Sequence, residues 1–99
     1  MKVRNGLERV LSLRKRIDEI DEKILLSLKE RVEVCKIIGE AKRRHGIQIR
    51  DFKREDEQHR HIMKRASELG LNQDEVEAIY EKIISMGLHA QEPETTENH

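Results

Sequence analysis

The chain has 99 residues, enough for one domain, and its 20 Lys and Arg balance its 20 Asp and Glu, so its net charge is zero with His neutral. This balance gives no general attraction to nucleic acid or anionic membrane, and one Tyr, one Phe and no Trp exclude a base-stacking platform. The single Cys excludes an internal disulfide, and no apolar run has membrane-spanning length. Since the N-terminus also lacks the apolar region of a signal peptide, we expect a cytoplasmic protein.

The first predicted helix runs from about Leu7 to Arg44, after a flexible N-terminus at residues 1–6, and His45-Gly46 supplies its stop. Apolar residues recur along it at the 3-4 spacing of one helical face. Such a helix is about 55 Å long, whereas a compact domain of this size has a radius of gyration of about 13 Å. One subunit cannot enclose it. We therefore expect an intertwined oligomer, most simply a two-fold homodimer with paired long helices.

Two shorter helices follow, and capping residues mark their ends. The second is expected over about Phe52–Leu69, after the N-cap Asp51. The third begins beyond Asn72 and continues to about Gln91. Residues 92–99, which include a proline and no apolar side chain, are expected to form a disordered tail. Because no strand pattern is present, the predicted fold is all-α, with three helices of unequal length.

Polar side chains interrupt the apolar helical faces. Arg31 and Lys42 lie within about 20° of each other on the first helix, and Glu55 takes a core position on the second. If the guanidinium group of Arg31 is buried, it needs an anionic partner. The alternative for both Arg31 and Lys42 is that the side chain extends to solvent. The alternative for Glu55 is an ion pair with a nearby cation. The alternative for Arg14 is simple solvation. Without a metal-ligand pattern or a nucleophile–base pair, the cluster predicts a pocket for a small, multiply anionic molecule.

Four segments and an ordered set of polar residues carry a resemblance to a known family. The segments are LRKRIDEID at residues 13–21, LKER at 28–31, IGEAK at 38–42 and IRDFKRE at 49–55. The ordered set is Arg14, Arg31, Lys42, Asp51, Arg54, Glu55 and Gln91. On these residues the chain resembles the all-α (AroQ-class) chorismate mutases over residues 7–91, which we take as the domain.

The resemblance implies an intertwined helical homodimer with two equivalent sites, each using Arg14 from one subunit and the remaining residues from its partner. The reaction would be the rearrangement of chorismate to prephenate, in the shikimate pathway branch toward phenylalanine and tyrosine. This is a unimolecular [3,3]-sigmatropic shift, so the resemblance implies no cofactor and no metal.

The resemblance also implies a role for each residue. Arg14 and Arg31 would hold the substrate's carboxylates and its reactive conformer. Lys42 and Gln91 would donate hydrogen bonds to the ether oxygen, which gains negative charge in the transition state. Glu55 would accept a hydrogen bond from the ring hydroxyl. At the start of the second helix, Arg54 would support the cationic groups that hold the carboxylates, and Asp51 would lie near Glu55.

Two departures from the family pattern and three alternative functions remain open at this point. Gly87 stands where family members often carry a small polar side chain, and Gln48 replaces a proline common in the first loop. An isochorismate–pyruvate lyase of the same fold would use a similar cationic pocket. A non-catalytic dimerisation or regulatory module predicts aliphatic residues in place of Arg31, Lys42 and Glu55. A helix-turn-helix DNA binder is disfavoured by the neutral charge and the long first helix.

Overall fold

In a computed structural model, residues 5–93 are described, and they form three α-helices with no strand among them. The helices are α1 (Gly6–Arg44), α2 (Phe52–Glu68) and α3 (Gln73–Gln91). The all-α prediction is confirmed, and each predicted helix end lies within about one residue of the observed one. Within residues 5–93, no helix combines the length and apolar character needed to span a membrane. The ends of the expected flexible termini, residues 1–4 and 94–99, lie outside the described residues.

The start of α1 is fixed by a reciprocal cap. The side-chain oxygen of Asn5 accepts a hydrogen bond from the backbone N–H of Glu8 at 2.7 Å, and a Glu8 carboxylate oxygen accepts one from the N–H of Asn5 at 3.4 Å. Each bond satisfies an N–H that the helix itself leaves without a partner. The helix therefore begins at Gly6, one residue earlier than expected.

The predicted N-caps of the other two helices are confirmed. Asp51 accepts a hydrogen bond from the N–H of Arg54 at 3.1 Å, and Asn72 accepts one from the N–H of Glu75 at 2.9 Å. Both capping residues have extended backbones, which suits a chain that turns into a helix at that residue.

Glycines in the left-handed conformation end α1 and α2, and the first of them, Gly46, is the stop that the sequence predicts. Gly46 has φ 66° and Gly70 has φ 74°. After Gly46, the N–H of Ile47 bonds to the carbonyl of Lys42 at 2.8 Å, which closes the last turn of α1. The loop after α1 is thereby folded back along Lys42.

The chain divides into two compact units, Met1–Glu30 and Arg31–His99. The described part of the first unit is a single stretch of α1, and its apolar side chains are largely exposed: Ile17 is 54% exposed and Ile24 51%. A lone helix has no other element against which to bury its apolar stripe. The first unit therefore presents a long apolar face.

The second unit contains the end of α1 together with the hairpin formed by α2 and α3. Cys35 and Ala66 are buried there, at 8% and 3% exposure. Gly39 on α1 is also buried, and a Cβ added to it would lie 2.6 Å from the Cα of Gln91. The backbones of α1 and α3 therefore touch at this glycine, which brings the end of α3 against α1.

Candidate active site

A cavity of about 250 Å³ lies within the second unit, between the end of α1, the loop after it, and the α2–α3 hairpin. Six of the seven sequence-predicted site residues line this cavity: Arg31, Lys42, Asp51, Arg54, Glu55 and Gln91. The seventh, Arg14, belongs to the first unit and is not among the lining residues. Apolar side chains, among them Ile38, Ile84 and Leu88, complete the walls.

Lys42 is half-buried, and its ammonium group bonds inside the cavity instead of extending to solvent. Nζ donates to the carbonyl oxygen of Ile49 at 2.7 Å and to Oε1 of Gln91 at 2.8 Å. An ammonium group has three N–H donors and no acceptor, so one N–H remains for a ligand. Because Lys42 can only donate, Gln91 must present its amide oxygen to it, and its amide N–H₂ is left as a second donor.

Gln91 is held in place by its backbone as well as by its side chain. Arg43 donates a hydrogen bond to the Gln91 carbonyl oxygen. The close approach at Gly39, one turn before Arg43, allows the last turn of α3 to reach α1. The position of the Gln91 amide beside Lys42 thus depends on contacts made outside the cavity.

Arg31 is half-buried, and its Nη1 atom donates to the backbone carbonyl of Ile83 at 3.3 Å. Among residues 5–93 a backbone carbonyl on α3 takes one hydrogen bond and no carboxylate pairs with Arg31, so the anionic partner expected from the sequence would have to be supplied by a ligand. A Cβ added to Gly87 would lie 2.9 Å from this Nη1 atom and 3.0 Å from the Cys35 sulfur. A side chain at position 87 would therefore meet the guanidinium group, whose flexible end would have to shift.

Glu55, on the first turn of α2, forms a two-pronged ion pair with Arg50. Nε of Arg50 lies 2.7 Å from Oε2 of Glu55, and Nη2 lies 2.7 Å from Oε1. The alternative noted for Glu55, an ion pair with a nearby cation, is confirmed. By accepting these hydrogen bonds, the Glu55 carboxylate raises the pKa of Arg50. Sequence reasoning missed Arg50; the available signal was an arginine directly before an N-cap, with an acidic residue in the first turn.

The cationic groups of the cavity have no ion-pair partner in the part of the chain that the structure describes. Among residues 5–93, none of Arg31, Lys42 and Arg54 lies within ion-pair distance of a carboxylate. Of the carboxylates in the lining, Asp51 caps α2 and Glu55 is bonded to Arg50. The described residues also include no cluster of His, Cys, Asp and Glu able to hold a metal. The arrangement is suited to a ligand that brings its own negative charges.

Comparison with known proteins gives a consistent result. The model of the family described as Chorismate mutase type II matches residues 13–92. The protein "Chorismate mutase" of Methanocaldococcus jannaschii is 34% identical over 94 residues, which cover 93% of this chain and 95% of that protein. Among solved structures, a conserved hypothetical protein from Pyrococcus furiosus superimposes with a TM-score of 0.65 and 32% identity, covering 85% of this chain and 96% of its own.

The chain belongs to the chorismate mutase type II family, since the family model covers most of its length. The resemblance noted in the sequence is confirmed, and the protein is an enzyme of that family.

Proposed function

We propose that the protein converts chorismate to prephenate in the phenylalanine and tyrosine branch of aromatic biosynthesis, and that the cavity of the second unit binds the substrate. One observation carries the assignment of the site. Arg31, Lys42 and Arg54 line a single cavity, and among the described residues none of them is ion-paired. The two carboxylates of chorismate supply the missing negative charges.

The reaction requires the protein to hold one conformer and to stabilise developing charge. A C–O bond breaks as a C–C bond forms within one molecule, so no general base, covalent intermediate or cofactor takes part. Arg31 grips the carboxylates together with Arg14, and Arg54 supports this arrangement of charge, which keeps the enolpyruvyl arm over the ring. Immobilising the reactive conformer lowers the barrier because the entropy of alignment is lost on binding, before the chemical step.

Lys42 and Gln91 act on the ether oxygen. As the C–O bond breaks, this oxygen gains negative charge, and the remaining N–H of Lys42 and the amide N–H₂ of Gln91 donate to it. Because the donors are already fixed by Ile49 and by each other, they need little reorganisation during the reaction. These bonds are stronger in the transition state than in the bound substrate, so they raise kcat more than they tighten binding.

Glu55 accepts a hydrogen bond from the ring hydroxyl of the substrate, and Asp51 lies nearby at the start of α2. Arg50 occupies one lone pair on each Glu55 oxygen, and a carboxylate has about four such acceptor positions. Glu55 can therefore accept a further hydrogen bond while its ion pair persists. Asp51 fixes the start of α2 and thereby the position of Glu55.

A homodimer is the second part of the proposal, with Arg14 of one subunit completing the site of the other. Two observations support it. The described residues of the first unit form no second element, and apart from the half-buried Leu28 its large apolar residues are exposed, from 41% for Ile20 to 67% for Leu7. Arg14 itself makes no ion pair among the described residues. A paired helix from a second copy would cover the apolar face and give Arg14 a cavity to enter.

The proposal also covers the setting of the enzyme. We assign residues 7–91 to the catalytic domain and the whole protein to the cytoplasm, where reducing conditions keep a lone thiol such as that of Cys35 free. Cell fractionation with a chorismate mutase assay on each fraction tests the location.

The direct test is turnover by the purified protein. We expect loss of the ultraviolet absorbance of chorismate with matching formation of prephenate, and no release of pyruvate from isochorismate in a parallel reaction. Pyruvate release from isochorismate without turnover of chorismate would assign the cavity to the lyase reaction instead. If neither substrate is converted, the remaining alternative is a non-catalytic helical dimerisation module. Sedimentation equilibrium tests the dimer, with an expected mass twice that of one chain.

A further inference from the structure

We infer that Arg50 is a positioning residue for Glu55. It holds the Glu55 carboxylate in the orientation that receives the substrate's ring hydroxyl, and it keeps this carboxylate away from the cations of the cavity. The inference rests on the proposed function, because it concerns how that site recognises its substrate. Arg50 itself does not line the cavity.

The geometry of the pair fixes an orientation. Both oxygens of Glu55 are engaged by one planar guanidinium group, at 2.7 Å each, and such a fork defines the plane of the carboxylate as well as its position. The side chains are 50% exposed for Arg50 and 24% for Glu55. Solvent screens an ion pair that is this exposed, and its consequence for the site is the orientation that the fork imposes on the carboxylate.

Arg50 can make this bond because it precedes the helix. Residues five apart on a helix do not face each other, but Arg50 lies before Asp51, whose backbone is extended. Its side chain folds back along the first turn of α2. The guanidinium carbon also lies 4.6 Å from the centre of the Phe52 ring, within the range of a cation–π contact. Arg50 is thus oriented by the ring as well as by the carboxylate.

The cavity itself supplies the reason why Glu55 needs such a partner. Glu55 lines the same cavity as Arg31, Lys42 and Arg54, which lack ion-pair partners among the described residues. A Glu55 side chain released from Arg50 has these cations as alternative partners, and each such pair would neutralise a charge needed by the substrate. Arg50 instead lines a second groove, of about 530 Å³, whose wall also includes Glu55. It therefore holds the carboxylate from outside the cavity.

The test is a double-mutant cycle on kcat/KM for chorismate. We expect Arg50→Leu to lower kcat/KM by roughly 10-fold, because a small misplacement of a substrate-binding group is costly. Arg50→Lys keeps the charge but cannot form the fork, so it should lose an intermediate amount. In a Glu55→Gln background, Arg50→Leu should change kcat/KM by less than about 2-fold, since the coupled partner is already altered. A purely structural role for Arg50 would reduce activity equally in both backgrounds.

Arg60→Leu is the matched control. It removes a single-contact ion pair of arginine with a carboxylate, Asp56, from an exposed part of α2 that does not line the cavity, and it should leave kcat/KM unchanged. Circular dichroism checks folding, and Arg50→Lys carries the test if Arg50→Leu does not fold. An active wild type with an unaffected Arg50→Leu variant, or with equal losses in both backgrounds, would overturn this inference alone. A wild type that does not turn over chorismate would overturn the proposed function and this inference with it.

Discussion

The two parts of α1 carry the same apolar periodicity but differ in what surrounds it. In the first unit, Ile17 and Ile24 are 54% and 51% exposed. In the second unit, Cys35 on the same helix is 8% exposed, and Arg31 and Lys42 are half-buried beside it. The α2–α3 hairpin covers one side of the second part, where Val34 and Ile38 remain 48% and 41% exposed, whereas the described residues of the first unit form no further element.

This difference shows that the apolar pattern of a helix identifies its apolar face but not the element that packs against that face. Where the chain covers its own helix, polar interruptions such as Arg31 become the walls of a cavity. In the first unit the apolar stripe stays exposed, and we propose that a second copy of the chain packs against it. The same helix would then contribute to two active sites, Lys42 to that of its own subunit and Arg14 to that of the partner.

The largest effect is expected from Lys42→Ala, which removes the donor at the centre of the covered part. We expect kcat to fall by roughly 10² to 10³, because a preorganised donor to a developing anion is lost and Gln91 loses the partner that orients its amide. The measurement is steady-state turnover of chorismate. Lys64→Ala, on the exposed surface of α2, is the control and should retain wild-type kcat. A Lys42→Ala variant that folds and turns over normally would contradict the proposed role.

Complementation between variants tests whether the two parts of α1 serve different subunits. Arg14→Ala and Arg31→Ala should each be nearly inactive as homodimers, because each lacks a guanidinium group that holds a substrate carboxylate. After mixing and subunit exchange, about half of the dimers are mixed and each has one intact site, so about a quarter of wild-type activity should return.

The control for this experiment pairs Arg31→Ala with Lys42→Ala. Both residues belong to the same subunit's cavity, so every site in the mixed dimer lacks one of them and no activity should return. Recovery in this control, or no recovery for the Arg14 and Arg31 pair despite confirmed exchange, would argue against sites shared across the dimer.

Ile17→Glu tests the uncovered part directly. A carboxylate placed on the apolar stripe must lose its hydration when a second helix covers it, so we expect the dimer dissociation constant to rise by about 100-fold. Sedimentation velocity should show dissociation on dilution, with activity per chain falling in parallel. Lys15→Glu reverses a charge about 160° round the helix from Ile17, and it should leave the dimer intact. Ile17→Glu remaining dimeric and active at every concentration would refute the proposed interface.

The helices could be predicted from the sequence because their ends are encoded locally. Gly46 and Gly70 supply the left-handed residue that each helix end needs, and Asp51 and Asn72 supply the caps. The cover over each helical face could not be predicted in the same way. Periodicity identifies the apolar side of α1, but exposure at Ile17 depends on which other elements exist and where they pack.

The candidate site was predictable where the family pattern or helical geometry applies, and the functional roles of its residues remain predictions. Arg31 and Lys42 stand out because they interrupt an apolar face. By contrast, Asp51, Arg54 and Gln91 are ordinary residues until the resemblance groups them. Arg50 was missed because it lies in the extended segment before α2. The rotation of about 100° per residue, which shows which side chains share a helical face, does not apply there. The role of Gly39 requires knowledge of how closely α3 approaches α1.

Gly39→Ala tests that approach and should give the smallest effect on catalysis. The added Cβ would lie 2.6 Å from the Cα of Gln91 and 2.8 Å from its carbonyl carbon. Both are backbone atoms, so the last turn of α3 must shift, and the Gln91 amide should move away from Lys42. We expect kcat to fall roughly 10-fold and the free energy of unfolding to fall by about 1–3 kcal/mol, as for other overpacked sites.

Gly6→Ala separates this contact from the general effect of replacing a helical glycine. A Cβ added at Gly6 meets no atom within 4 Å, so the alanine should stabilise α1 by up to about 1 kcal/mol and leave kcat unchanged. Chemical denaturation and chorismate turnover measure both quantities on each variant. If Gly39→Ala also keeps wild-type kcat, the amide of Gln91 is not positioned by the close approach of the two helices. Lys42 and Arg43 would then be sufficient to hold it.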